Sequence, residues 1–168
     1  MEKVYLLLGG NLGKRQLLIK QMRDVIQLNI GNITRCSSLY ESEPWGFSHS
    51  NQFINQVVEC YTNLDPLQLL KIIHDIERSL GRVRTDNGYA ARTADIDILF
   101  YGNLIEISEV LTIPHPLLHK RRFTLLPLVE LEPTMIHPQL NKTLTELLET
   151  CNDNSKVAIV NKVEVIEQ

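Results

Sequence analysis

ADIDILFY, residues Ala94 to Tyr101, sets two carboxylates inside an apolar, strand-like run, and its reading decides how the segments before it assemble. Residues two apart in a strand project from one face, so Asp95 and Asp97 point together while Ala94, Ile96 and Ile98 face the other way, into a core. Working back from this strand, residues 82–93, RVRTDNGYAART, carry charge and a glycine but no apolar period, which predicts a long, mobile loop. Before it, Leu69, Ile72, Ile73, Ile76 and Leu80 supply one helical face, opened by Asp65, Pro66 and Gln68 in a capping-box pattern and closed by Gly81. ITRCSSLYES and FINQVVECYT read as two strands joined by the turn-rich EPWGFSHSN. At the start, KVYLLLG is a buried strand, and Leu18, Met22, Val25 and Ile26 mark a helix that begins near Arg15 and is stopped by Gly31.

The resulting order, β-α-β-β-α-β, is that of an α+β, ferredoxin-like split βαβ core with an antiparallel sheet and helices on one face. A C-terminal extension follows: short helices from about Phe123 to Leu131 and Leu144 to Thr150, then a strand-like KVAIVNKVEVI. From about Leu144 onward no motif attaches to chemistry, so this tail is assigned to packing or association. No repeat, low-complexity stretch or linker interrupts the chain, so residues 1–168 are read as one domain.

Composition narrows the function. With 43% hydrophobic and 22% charged residues the chain is ordinary globular protein, and its formal charge of -3 lacks the broad basic footprint that nucleic-acid binding needs. Positive charge is local instead. Arg78, Arg82, Arg84 and Arg92 form one cluster, and Lys120, Arg121 and Arg122 form another beside His115 and His119, which suits a pocket for a small polyanion. The apolar run Val4 to Leu8 is too short for a signal peptide or a membrane span, so a cytoplasmic protein without membrane contact is expected. Cys36, Cys60 and Cys151 have neither disulfide-framework nor zinc-site spacing and are read as reduced, structural thiols.

The acidic pair admits two readings. Neighbouring carboxylates repel unless a cation lies between them, and magnesium favours one or two carboxylates completed by water and phosphate. Equally, both acids could be solvated and paired with nearby arginines. Arginine's planar fork holds phosphate oxygens in two places at once, so Arg82, Arg84 and Arg92, leading into the acidic strand, favour a polyphosphate clamp. GGNLGKR lacks the spacing of a P-loop, and Gly9, Gly10 and Gly13 are read as turn residues. His115 is open to phosphate contact or loop packing, while His119 is read as a packed residue. Trp45, Phe53 and Phe123 with the amide of Asn55 suit a flat polar ring, although either phenylalanine could simply be core.

Together LGGNLG, SSLYESEPWG, NQFINQVV, GRVR, ARTADIDILFYG, LTIPHP and RRFTLLPL resemble the 6-hydroxymethyl-7,8-dihydropterin pyrophosphokinase family of folate biosynthesis, in its order and at its spacing, from about Val4 to His137. The resemblance implies a ferredoxin-like enzyme that moves the β,γ-pyrophosphoryl group of ATP, its co-substrate, onto the pterin hydroxymethyl group and releases AMP. It implies that Asp95 and Asp97 hold two magnesium ions, Asp97 also helping to deprotonate the hydroxyl. Arg82 and Arg92 would stabilise the transferring phosphates as the loop closes, with Arg84, His115 and Arg121 on the triphosphate and Leu70, Glu77, Ile98, Leu111 and Thr112 around the adenosine. Phe53 and Phe123 would sandwich the pterin, Asn55 and the stretch Ser42, Pro44, Trp45 would read its edges, and Tyr89 would close over it. Ala90 and Ala91 stand where the family often has Gly-Pro, and Tyr89 where some members have tryptophan. Two other functions use the same ingredients: a DxD nucleotidyltransferase, and a noncatalytic ferredoxin-like nucleotide- or RNA-binding module, against which the acids on the last strand argue. The expected partners are the two small-molecule substrates, with the chain a monomer or weak homo-oligomer.

Overall fold

A computed structural model describes residues 1–46, 51–81 and 94–160. KVYLLLG lies inside β1 (Glu2–Gly10), which is hydrogen-bonded antiparallel on one side to β4 (Phe53–Thr62) and on the other to β5 (Asp95–Tyr101). A strand paired on both edges and covered on both faces has no wet side, which is why Val4 to Leu8 is apolar without alternation.

Helix α1 (Arg15–Asn29) buries Leu18, Ile19, Met22 and Ile26, the stripe expected of a helix facing a core. Gly31, expected to stop it, has a different role. It opens β2 (Gly31–Cys36), where a Cβ would stand 2.0 Å from the carbonyl oxygen of Tyr61, so only glycine permits this approach to β4. The single strand read from ITRCSSLYES is two, β2 and β3 (Tyr40–Ser42), both paired with β4. Ser37 makes the break: its N–H still donates to the Val57 carbonyl at 2.9 Å, but its hydroxyl accepts the N–H of Val57 at 3.0 Å and its carbonyl accepts the Gln56 side-chain amide at 2.6 Å, so side chains take over part of the ladder there.

Helix α2 (Pro66–Ser79) begins with the expected capping box. Asp65 accepts the Gln68 N–H at 2.8 Å, and the Gln68 side chain accepts the Asp65 N–H at 3.0 Å. After β5 come a two-strand hairpin of β6 (Glu106–Ile107) and β7 (Thr112–Ile113), a cis Ile113–Pro114 bond, and α3 (Arg122–Leu131), α4 (Leu144–Glu149) and β8 (Val157–Ile159). The main sheet runs β5-β1-β4-β3-β8, with β2 also on β4. No described helix is long and apolar enough to cross a membrane.

Helices cover both faces of this sheet, where the sequence pattern predicts one. Helices α1 and α2 pack over Leu6, Leu8, Ile54, Ile96 and Ile98, while α3 and α4 pack over Tyr5, Leu7, Val57 and Leu99. Both sets of alternating side chains are apolar, and an apolar sheet face must be covered. The tail thus supplies a second core, with α4 burying Leu144 and Leu147 in it. The three cysteines are free thiols, Cys60 buried and Cys36 exposed.

A polar network ties the rim of this second core together. The Tyr5 hydroxyl lies 2.8 Å from carboxylate oxygens of both Glu59 and Glu132, and Arg35 bridges the same two acids. Arg35, with Thr34 and Tyr5, holds the Glu59 carboxyl down at about 2 despite its burial, while burial and the two acids push the Tyr5 phenol up.

Candidate active site

Because β5 is the edge strand, Asp95 and Asp97 sit half-buried at the sheet border while Ile96 and Ile98 are buried on the α1/α2 side. Register places Asp95 opposite Gly9, Gly9 opposite Asn55, and Asn55 opposite Tyr40, and directly opposed residues of antiparallel strands share a face. Gly9 and Gly10, read as turn residues, are therefore strand residues; of the three glycines only Gly13 has a positive φ, 69°. Gly9 opens the row at its centre. A Cβ there would come within 2.6 Å of Asn55 Oδ1.

Asn55 and Ser42 are both buried, and the Asn55 amide donates to Ser42 Oγ at 3.0 Å. Ser42 is also the register partner of Phe53, which is half-buried and belongs to neither core cluster. Phe123, on the first turn of α3, is half-buried against the second core. Between Phe123 and Trp45 lies Arg121, its guanidinium carbon 5.7 Å and 4.7 Å from the two ring centroids. Pro44 and Trp45 follow β3 and are half-buried. Cation–π stacking thus joins the second basic cluster to the aromatic residues, a link between positions far apart in sequence.

His115 faces the acids. Its backbone N–H donates to the Leu99 carbonyl at 3.0 Å, its Nδ1 accepts the Leu117 N–H at 3.1 Å, and its Nε2 lies 4.0 Å from Asp97 Oδ2. With Nδ1 an acceptor, the proton of the neutral ring is on Nε2. Burial, helped by the charge of Arg121 and opposed by that of Asp95, pushes this histidine down to about 4, so it is neutral at neutral pH. His119 is half-buried against His137, as its packed reading expects.

The residues read as adenosine contacts divide. Leu70 lines a groove of about 420 Å³ with Leu67, His74 and Val110, and Thr112 is half-buried on β7. Ile98 and Leu111 belong to the first core, and Glu77 is buried, its carboxylate 3.3 Å from the Ile96 N–H that it accepts. Arg82, Arg84, Tyr89, Arg92 and the Ala90–Ala91 pair lie outside the described residues, as does the expected loop 82–93. Among the described residues no three His, Cys, Asp or Glu side chains form a metal cage. Two carboxylates at an open edge instead fit a hard cation that takes its remaining ligands from water and phosphate.

A family model described as 7,8-dihydro-6-hydroxymethylpterin-pyrophosphokinase matches residues 5–133. A 2-amino-4-hydroxy-6-hydroxymethyldihydropteridine pyrophosphokinase of Porphyromonas gingivalis is 39% identical over 142 residues, covering 83% of this chain and 96% of the relative. The enzyme of that name from Aquifex aeolicus is 38% identical over 146 residues, covering 87% of this chain and 90% of its own. Among solved structures, an HPPK-DHPS protein in complex with substrates superposes with a TM-score of 0.71 at 16% identity over 89% of this chain, and a Plasmodium falciparum HPPK-DHPS with 0.73 at 18% over 88%. This chain spans 43% and 45% of those two solved chains, so the likeness concerns the fold of one part of each.

Proposed function

Because the chain belongs to the 7,8-dihydro-6-hydroxymethylpterin-pyrophosphokinase family, we propose that the residues described above bind ATP and the dihydropterin side by side along the β5 edge. The reaction is an ATP-dependent pyrophosphoryl transfer of folate synthesis. The hydroxymethyl oxygen bonds to the β-phosphorus, the bond from that phosphorus to the α,β-bridging oxygen breaks, and AMP leaves. The hydroxyl proton goes to a base, and Asp97, beside Asp95 on the same face of β5, is the residue we assign to it.

Asp95 and Asp97 would hold magnesium, two ions in this reading, whose charge offsets that of the phosphate oxygens. His115, a neutral Nε2–H donor beside Asp97, and Arg121, stacked on Trp45, would hold the triphosphate, a division that leaves one charged and one uncharged donor on it. Arg82, Arg84 and Arg92 belong to the same task, and Tyr89 to closure over the pterin. Leu70, Glu77, Ile98, Leu111 and Thr112 are assigned to the adenosine side, where Leu70 and Thr112 offer accessible surface. Phe53 and Phe123 would flank the pterin, with Asn55, Ser42, Pro44 and Trp45 at its edges. Phosphoryl transfer asks for alignment and charge neutralisation above all, and these residues provide both.

One observation carries the reading. The row Asp95–Gly9–Asn55 crosses three adjacent strands, so the acid and the amide stand on one face about 10 Å apart with nothing but a glycine between them. That leaves room for the reacting arm of a substrate whose ring is at Asn55 and whose phosphate donor is at Asp95. The order β5-β1-β4 followed by β2 and β3 also supports the ferredoxin-like reading.

Incubation with ATP, magnesium and 6-hydroxymethyl-7,8-dihydropterin should yield one AMP per pterin consumed. Formation of ADP, release of pyrophosphate as a nucleotidyltransferase would give, or AMP that does not depend on the pterin would refute the assignment. Gly9→Ala provides a sharper check of the row. Its methyl group would push Asn55 away from Ser42, and losing one buried hydrogen bond of about 1.4 kcal/mol predicts a KM for the pterin raised about tenfold. The KM for ATP should change less than twofold, and equal changes in both would remove Asn55 from the pterin site.

A further inference from the structure

The start of α3 presents a problem that its own sequence does not solve. Its N-cap is Arg121, which has no side-chain oxygen and makes no capping hydrogen bond, and the first turn contains no acid. An N-terminus in that condition leaves N–H groups and a partial positive charge uncompensated, and here it also carries a guanidinium. The missing acceptor comes from a distant part of the chain. Asp153 Oδ2 accepts the N–H of Arg122 at 2.9 Å, and Asp153 Oδ1 accepts that of Ser155 at 3.0 Å.

Arg122 is flanked by two residues assigned above to substrate, the N-cap Arg121 and Phe123 on the first turn. The backbone group that Asp153 holds is therefore the peptide between the guanidinium and the ring. Asp153, Trp45 and Lys120 also line one cavity of about 570 Å³, so the segment after α4 meets the Trp45 turn at the place where Arg121 stacks. Beyond Asp153 the chain joins the sheet. β8 pairs with β3, setting Val157 opposite Ser42, and the Val160 N–H donates to Leu39 at 2.8 Å. The segment thereby braces the strand carrying Ser42 and the helix carrying Arg121 and Phe123.

We propose that Asp153 is a positioning residue of the active site: it caps α3 from outside the helix and so fixes Arg121 between Phe123 and Trp45. The N-cap position is occupied by an arginine needed for phosphate, and the capping oxygen is supplied from the tail. This rests on the substrate assignment for its kinetic consequence but not for its structural one, and the two can be read separately. Trp45 is the only tryptophan of the chain, so its emission in the substrate-free protein reports the stacked guanidinium directly.

In Asp153→Ala, the Trp45 emission should change in intensity and position without substrate, and the KM values for ATP and pterin should both rise about five- to tenfold, the effect of losing one charge-assisted cap. kcat should fall less than threefold. Asp153→Asn retains one oxygen for the Arg122 N–H and should recover at least half of both changes. Met22→Ala, in the first core under α1, serves as a variant that loses stability alone and should leave emission and both KM values unchanged. If Asp153→Ala leaves Trp45 emission and the KM values as they were, or if Met22→Ala moves them equally, the proposal is wrong. Should the alanine variant not fold, Ser155→Pro, which deletes the N–H and the hydroxyl that steady Asp153, must shift emission and KM in the same direction, and no shift overturns the proposal. A changed emission with no pterin-dependent AMP even in the parent protein would keep the cap and refute the substrate assignment.

Discussion

Asp97→Ala should abolish pterin-dependent AMP formation, lowering kcat by about 10³-fold or more, while the protein stays folded. The size follows from what the substitution removes: one of two carboxylates on the β5 edge, Asp95 in the row that leads through Gly9 to Asn55 and Asp97 in the next row, opposite Leu7, on the same face. In the proposed assignment, losing Asp97 takes from the phosphate chain half of the carboxylate charge that would anchor a cation, and from the hydroxyl its assigned base. The fold should survive because Asp97 is half-buried at the sheet border, while the strand is held by Ile96, Ile98, Leu99 and Phe100. Removing one of two neighbouring like charges also relieves repulsion, so the melting temperature should stay within about 3 °C of the parent, under one kcal/mol for a domain of this size. Asp97→Asn should be equally inactive, since it keeps the shape and loses the charge. Retention of more than a tenth of parental kcat by either variant would show that the acidic pair is not the centre of the reaction.

Arg35→Met should leave activity largely intact and cost stability instead, about 2–4 kcal/mol, or roughly 5–15 °C in melting temperature. Arg35 is the shared partner of Glu59 and Glu132 and the first cause of the depressed Glu59 carboxyl, yet its own side chain is 42% exposed. Glu59 is 4% exposed. Taking the guanidinium away leaves a buried carboxylate whose desolvation is compensated only by Thr34, Tyr5 and the more distant Lys3. The exposure of Arg35 keeps the loss below that of a fully buried pair. Its pH dependence has a definite sign. A carboxyl held at about 2 contributes stability above its unfolded value near 4.5 and loses it as pH falls toward 2, so the parent and variant should differ most near neutrality and converge in acid. Thermal melts at pH 7 and pH 3 check this, and Arg35→Met/Glu59→Gln should recover part of the neutral-pH loss. A gap that stayed constant with pH would assign the effect to lost packing by the arginine stem rather than to charge.

These two variants separate the parts of the molecule that are legible in different ways. The acidic pair is visible in eight consecutive residues, because strand periodicity alone puts Asp95 and Asp97 on one face. Arg35, Glu59 and Glu132 belong to β2, β4 and the end of α3, and no local pattern announces that they meet. Glycines show the same division. Gly9 and Gly31 look like punctuation beside an apolar run and a helix, yet each faces a close approach from another strand, the Asn55 side chain in one case and the Tyr61 backbone in the other.

What the sequence determined by itself is the set of elements and the chemistry carried on each: the helical stripes of α1 and α2, the capping box at Asp65, the strand that pairs two acids, and a run of motifs sufficient to identify the family. All of these are encoded by residues within a turn or two of one another, where spacing translates directly into direction. Only the tertiary structure decided that Gly9 lies between Asp95 and Asn55, that Arg121 stacks between Trp45 and Phe123, that α3 and α4 cover the second face of the sheet, and that Asp153 completes a helix begun 31 residues earlier. Those facts depend on register and packing between distant segments, and the free energy that selects them comes from burying two faces of one sheet at once, which no single stretch of the chain encodes.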